Sequence, residues 1–246
     1  VFTKITKNTI IQNMKNYFFS ISIPTYEFKG KGVKYLTKNF EIFKEQTFNN
    51  FEIVISDDSK NDDIKKLCDE WSDVLNIKHV FNKPHNYNSH SPNINNAISQ
   101  CSGKWIKILF QDDFLYGTKS LELQHNFINE NENLHWFFTK FYHSVDGNNL
   151  YNLYTPKWNN SVWSGNNTLG GPSGLTIKNK NIPLFDENLI WLMDCDFYQK
   201  LFIRFGVPGI SDSITVVNRT GFDQLTSTIG EETKLKDLKI VKEKYD

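Results

Sequence analysis

Apolar residues in the first half of the chain fall into two alternating patterns. Four short runs rich in Ile, Val and Phe lie at residues 17–23 (YFFSISI), 51–56 (FEIVIS), 77–81 (IKHVF) and 105–110 (WIKILF). Each is bounded by polar or turn residues, as buried strands are. Between them, Val33, Leu36, Phe40 and Phe43 recur at helical spacing, as do Ile64, Leu67, Cys68, Trp71 and Val74, and then Ile94, Ala97, Ile98 and Cys101. Ser91-Pro92 reads as the start of the third helix, with Ser as N-cap and Pro in the first turn. Strands alternating with helices over short links predict an α/β fold with a mostly parallel sheet flanked by helices.

The second half is less regular. A helix is predicted from Leu121 to Ile128, and a strand over 135–145 leads through the turn DGNN into another over 150–155. A polar, Trp-bearing segment at 156–174 is too long for a simple turn and is a candidate functional loop. Residues 194–205 read as a helix stopped by Gly206, 213–217 as a strand, and the tail from Glu231 as a charged helix or frayed end. One domain over 1–246 is the simpler organisation, its mostly parallel sheet followed by a smaller, mixed C-terminal part: a nucleotide-binding half is expected at 17–113, an acceptor half at 114–230 and a charged tail at 231–246.

Composition narrows the function. Hydrophobic residues make up 39% and aromatics 15%, enough for a packed core. The 28 basic and 28 acidic residues balance, which argues against a nucleic-acid binder working by bulk charge. Cys68, Cys101 and Cys195 are odd in number and widely spaced, so they read as buried thiols of a reducing, cytoplasmic compartment. No apolar run approaches the ~20 residues of a membrane span. Val1 in place of Met suggests a trimmed or partial chain.

Ligands of open parallel sheets bind beyond the carboxyl ends of the strands. Here those ends carry Pro24-Thr25-Tyr26-Glu27, Asp57-Asp58-Ser59 and Gln111-Asp112-Asp113. Clustered carboxylates cost stability unless a cation or donors compensate, and an oxygen-rich rim suits Mg²⁺ or Mn²⁺ holding a diphosphate. Asp58, Asp62 and Asp63 have the simpler reading of a capped strand-to-helix turn. The pair Asp112-Asp113 does not, since one turn carboxylate suffices. A receiver domain needs its acidic pair after the first strand, and a nucleotidyltransferase needs a Gly-rich loop there, for which Lys29-Gly30-Lys31-Gly32 is a poor substitute.

The segments FSISIPTYE, QTFNNFEIVISDDS and GKWIKILFQDD, followed by GGPSGLTIKN (170–179) and WLMDCDFYQKLF (191–202), resemble in order and spacing the inverting family 2 glycosyltransferases of GT-A fold. The resemblance spans roughly 17–220. It implies transfer of a sugar from a nucleotide-sugar, with UDP-sugar the first choice, to a glycan or lipid-linked acceptor, with Mn²⁺ or Mg²⁺ as cofactor. The enzyme would be cytoplasmic or peripheral at the membrane. It places Thr25 and Glu27 beside the nucleoside, Asp57 on the base, Asp112 on the ribose or a metal-bound water, and Asp113 on the cation. Asp194 would be the general base, and Asp196 would orient or cap its helix. Arg219 is the candidate for the diphosphate, against a reading as a solvated surface Arg. Trp158, Trp163 and Trp191 are candidates for stacking on an acceptor sugar, against ordinary packing. Two departures stand out: Gln111 replaces the first Asp of the metal motif, and Asn93-Ile94-Asn95 lacks an Arg common in the family. They leave open a GT-A-like protein that binds nucleotide or glycan without turnover.

Overall fold

The computed structural model describes residues 16–83, 90–221 and 229–246. The predicted alternation is present as β1 (Phe19–Thr25), α1 (Gly32–Lys44), β2 (Phe51–Asp57), α2 (Asp63–Trp71), β3 (Ile77–Phe81), α3 (Ser91–Ser99) and β4 (Trp105–Ile108). There follow β5 (Phe114–Leu115), α4 (Ser120–Glu130), β6 (Trp136–Ser144), β7 (Leu150–Tyr154), β8 (Leu175–Lys178), α5 (Met193–Phe205), β9 (Gly209–Arg219) and α6 (Glu231–Tyr245). The strands form one sheet in the order β3-β2-β1-β4-β8-β6-β9-β5, with β7 on β6 where β8 ends.

The sheet is mixed: β3-β2-β1-β4 form the expected parallel part, and the mixed part beyond β4 is larger than expected. The pairings β1–β2, β1–β4, β2–β3 and β6–β9 are parallel, while β4–β8, β8–β6, β6–β7 and β5–β9 are antiparallel. Strand–helix alternation stops after β4. The tight turn between β6 and β7 can join only antiparallel strands, with Asp146 accepting the N–H groups of Asn148 and Asn149 at 2.8 Å each.

Both faces of the sheet are covered. Phe19, Ile21 and Ile23 of β1 point into one apolar layer with Leu36, Phe40 and Phe43 of α1 and Ile64 and Leu67 of α2. Ile106 and Ile108 of β4 point into the other, with Ile94 and Ile98 of α3 and Phe197 and Leu201 of α5. This period-two alternation within strands buried on both sides is why the runs read as almost continuously apolar. Ser20, on the opposite face of β1 and fully buried, is satisfied by donating to Glu52 Oε1 at 2.6 Å.

Two local expectations change. His90, not Ser91, stands at the N-cap of α3; Ser91 is already in the first turn and its hydroxyl points to Met193 Sδ at 3.7 Å. The charged tail is a docked helix: in α6, Val241 and Asp237 are fully buried. All three cysteines are free, and burial pushes the Cys68 and Cys101 thiols up to about 12 and that of Cys195 up as well, so none is poised as a nucleophile. Among the described residues, no helix is long and apolar enough to cross a membrane.

Candidate active site

The β1–α1 connection, the β4–β5 turn, the end of β9 and the start of α5 enclose a cavity of about 520 Å³. The β4–β5 turn contributes Gln111, Asp112 and Asp113, and β9 contributes Arg219. Asp113 is 7% exposed and its Oδ1 accepts the Arg219 backbone N–H at 2.7 Å. Asn39 of α1 donates to the carbonyls of both Gln111 and Asp113, fixing the turn from below. Burial holds the Asp113 carboxyl well above the usual range, and the neighbouring Asp112 adds to this. Asp112 is raised too, again by burial first. Repulsion between these carboxyls is the unfavourable feature of the site, and Arg219 offsets part of it.

Arg219 is not a solvated surface residue. It is half-buried, donates through Nε to the Asp112 carbonyl at 3.2 Å, and lies over the Tyr35 ring with its guanidinium carbon 4.7 Å from the centroid. Gln111, standing where an acidic residue was expected, accepts the Tyr26 N–H at 3.0 Å and so ties the β1–α1 connection to the acidic turn. Beneath the turn, the fully buried Lys107 donates to the carbonyls of Ser173 and Leu175. Burial draws its pKa down to about 7 against the pull of Asp113. Ser173 also accepts the Phe110 N–H at 2.9 Å and bonds the Asp113 carboxyl, so the Pro172-Ser173 segment is welded to the acidic turn.

Asp194, the second residue of α5, lies on a wall shared with a smaller adjoining cavity lined by His143, Asn167, Asn218 and Thr220. Its Oδ2 accepts from Asn167 at 2.9 Å and its Oδ1 from the Cys195 N–H at 2.8 Å. Burial outweighs both bonds and raises its pKa to about 6. Asp194 is therefore not the N-cap of its helix, a position held by Leu192 without any side-chain bond. Asp196, fully buried, binds Lys200, Lys244 and Tyr245 on the far side of α5.

The remaining candidates divide. Trp191 lines both cavities. Trp158 packs edge-on against Trp136 at 5.9 Å and tilted on Phe202 at 4.7 Å, and Trp163 lies 6.2 Å from Tyr245, so both sit in the apolar layer behind α5. Thr25, Glu27 and Asp57 lie beside the large cavity and not among its described lining. Thr25 is 1% exposed; Glu27 accepts the Lys60 N–H at 3.3 Å. Asp57 is fully buried, its Oδ1 on the Ser59 N–H at 2.9 Å and its Oδ2 3.0 Å from His79 Nε2. Asn93 does line the cavity and bonds Ser56 and the Thr25 carbonyl. Lys29 and Lys31, set aside in the sequence as a poor Gly-rich loop, line the large cavity, and Asn167, whose one signal was its place in the long polar loop, holds Asp194.

Among the described residues, no group of three His, Cys, Asp or Glu side chains could cage a metal ion. Asp112 and Asp113 do fit a divalent cation that takes its other ligands from a diphosphate and water, since Mg²⁺ commonly rests on one or two carboxylates plus phosphates.

An acidic turn at the carboxyl end of a parallel half-sheet, continued by a mixed half that carries a second carboxylate to the same cavity, defines a GT-A-like α/β fold. The chain belongs to glycosyl transferase family 2, whose model matches residues 20–225. It is similar to uncharacterized glycosyltransferases of Rickettsia bellii (26% identical, covering 88% of this chain and 31% of the relative) and Rickettsia conorii (29%, covering 72% and 29%). The chain thus spans about a third of the length of the curated relatives it matches. Among solved structures it resembles S. aureus TarS 1-349 in complex with UDP-GlcNAc, at 19% identity and a TM-score of 0.70, covering 91% of this chain and 65% of that one. It also resembles the mannosyltransferase PcManGT from Pyrobaculum calidifontis in complex with GDP-Man and Mn²⁺, at 11% identity and a TM-score of 0.58, covering 84% and 58%. These likenesses concern the fold.

Proposed function

We propose that the chain is the catalytic unit of an inverting glycosyltransferase that moves a sugar from a nucleotide-sugar, UDP-linked in the first instance, to a hydroxyl of a glycan or lipid-linked acceptor. The observation that carries this reading is the position of Asp194. A carboxylate with a pKa of about 6 stands on the wall between a cavity holding Asp112, Asp113 and Arg219 and a second, polar cavity. The larger cavity suits the donor and the smaller one the acceptor. The ligands in those structures of TarS and PcManGT, UDP-GlcNAc and GDP-Man with Mn²⁺, are of the expected chemical class.

In this reading Asp113, with Asp112, would hold Mn²⁺ or Mg²⁺, which supplies Lewis-acid stabilisation of the departing diphosphate. Arg219 faces the same oxygens, and Lys29 and Lys31 line the approach. Asp194 takes the proton of the acceptor hydroxyl as its oxygen bonds to the anomeric carbon. The bond from that carbon to the diphosphate oxygen breaks on the opposite face, so the configuration inverts. At neutral pH a base with a pKa of about 6 is ionised yet still basic enough to help, and such a base contributes ~10²–10⁴-fold. Trp191, on the wall shared by both cavities, offers a face to the acceptor sugar. Asp57 remains the candidate for the base, with Thr25 and Glu27 beside the nucleoside. Free thiols fit a cytoplasmic setting.

The test is a panel of nucleotide-sugars with Mn²⁺ or EDTA, scored for release of nucleoside diphosphate by the wild type and Asp194→Asn. Mn²⁺-dependent release, slowed ~10²-fold or more in the variant, is expected. Binding of UDP without turnover of any donor would instead favour the binding-only reading that Gln111 leaves open.

A further inference from the structure

The charged helix α6 lies beyond the 20–225 span matched by the family model, yet it closes against the segment that carries Asp194. Asp237 is fully buried, and one of its oxygens, Oδ2, accepts three successive backbone N–H groups: Ile190 at 2.9 Å, Trp191 at 2.6 Å and Leu192 at 3.0 Å. Consecutive amides converging on one anion form a nest, here filled by a side chain 45 or more residues away in sequence. The N-cap residue of α5, Leu192, makes no side-chain bond, and Asp237 instead holds the backbone N–H of Leu192 and of the two residues before it.

The far end of α6 grips the same helix. Lys244 Nζ and the Tyr245 hydroxyl both donate to Asp196 Oδ1, at 2.7 and 2.8 Å, and Lys244 also reaches Asp186. Lys234, paired with Glu231, lies 5.9 Å over the Trp191 ring. Asp194 therefore sits between two anchors, Asp237 before it and Asp196 after it. Buried carboxylates tolerate little slack, because losing a partner leaves an uncompensated charge. The wall between the two cavities is consequently fixed from outside the family-matched region.

We propose that Asp237 is a positioning residue for the transfer reaction: through the 190–192 turn it sets where Asp194 and Trp191 stand relative to the two cavities. The proposal rests on the reading of Asp194 as the base. Its consequence is unequal. Asp113 is held by Arg219, Ser173 and Asn39, so the acidic turn keeps its geometry when the grip of α6 is loosened, while Ile190 and Trp191 shift at the far wall of the same cavity.

The experiment uses the full chain with Asp237→Asn and, at the other anchor, Lys244→Met. Amide hydrogen exchange reads the 190–192 turn, NMR titration of the Asp194 carboxyl reads its surroundings, calorimetry with UDP and Mn²⁺ reads the donor side, and donor turnover reads the reaction. The titratable groups around Asp194 are Cys195 and Tyr198 of its own helix, both of which stay neutral near pH 6, and His143 of β6 in the lining of the smaller cavity, with Asn167 opposite. In Asp237→Asn, residues 190–192 should exchange at least tenfold faster, and the Asp194 midpoint should fall from about 6 toward the ordinary carboxylate range as water enters. Turnover should drop by about 10²-fold, the scale of a 1 Å misplacement, with UDP affinity falling far less. Lys244→Met should move the same readouts in the same direction and carries the test if Asp237→Asn fails to fold. An unmoved Asp194 midpoint, or a parallel loss of UDP affinity and turnover, overturns the proposal. If the wild type turns over no nucleotide-sugar, the enzymatic reading falls, while exchange and titration still decide whether Asp237 governs the setting of Asp194.

Discussion

The Asp194 carboxyl ionises at about 6 because burial outweighs the bonds from Asn167 and Cys195 that favour its charged form. A folded-state pKa above the unfolded value near 3.9 means that the folded protein holds this proton more tightly. The contribution of Asp194 to stability is therefore fully present below about pH 4 and is lost as pH rises through about 6. At ~1.4 kcal/mol per unit the loss is bounded by about 3 kcal/mol, and partial exposure reduces it. Asp194→Asn should accordingly melt higher than the wild type at pH 8, and the advantage should shrink at pH 4.5. Turnover should run the other way, with kcat/KM of the wild type rising through about pH 6 as the base loses its proton. Absence of any gain in melting temperature at pH 8 would show that the carboxyl is not in the desolvated setting described. The pair Asp112-Asp113 drew notice in the sequence because it follows the apolar run of β4 at a sheet rim, whereas Asp194 was named only through the resemblance of 191–202 to the family. Asn167 and Asp237 were not legible, because their roles exist only through contacts made 27 and 45–47 residues away in the chain.

At the scale of elements, the strand–helix alternation up to β4 was readable since β1 and β2 repeat apolar residues at every second position and α1 carries one apolar stripe. Past β4 the pattern failed for a physical reason: β8 spans four residues, too few for periodicity to speak, and it enters the sheet between β4 and β6 in the opposite direction. Trp158 and Trp163 were readable as stacking residues or, more commonly for Trp, as packing, and they pack in the apolar layer behind the site. Two glycines distinguish the framework from the site. A Cβ on Gly103 would stand 2.6 Å from the Ser20 nitrogen and 2.7 Å from the Phe19 carbonyl carbon, against the backbone of β1. One on Gly32 would stand 2.5 Å from the Tyr26 carbonyl oxygen, in the connection that lines the donor cavity. Either Ala substitution should cost about 1–3 kcal/mol by overpacking, seen as a lower urea midpoint. Gly32→Ala should also weaken UDP at least tenfold in calorimetry, while the folded fraction of Gly103→Ala keeps wild-type affinity. Equal affinities in the two variants would remove the β1–α1 connection from the donor site.

The whole molecule is organised around a cavity that draws lining from both halves of the sheet, Tyr26 and Gln111–Asp113 from one and Gly171, Asn218 and Arg219 from the other. A ligand that fills it binds the folded chain and not the unfolded one, so its affinity becomes stability of the entire fold. At a hundred times its dissociation constant the gain is about 2.7 kcal/mol, which for a chain of this size raises the melting temperature by several degrees, at roughly 2–4 °C per kcal/mol. The formal net charge is zero, so diffuse attraction to a polyanion contributes little, and the effect should report specific contacts. UDP with Mn²⁺ should give the full shift. UDP with EDTA should give a small one, because Arg219, Lys29 and Lys31 then face the diphosphate beside two carboxylates that repel it. Asp113→Asn should remove most of the difference between the two conditions, since it takes away the carboxylate assigned to the cation. Equal shifts with Mn²⁺ and EDTA in the wild type would transfer the diphosphate to the cationic groups Arg219, Lys29 and Lys31, and Asp113 would lose its role as a metal ligand.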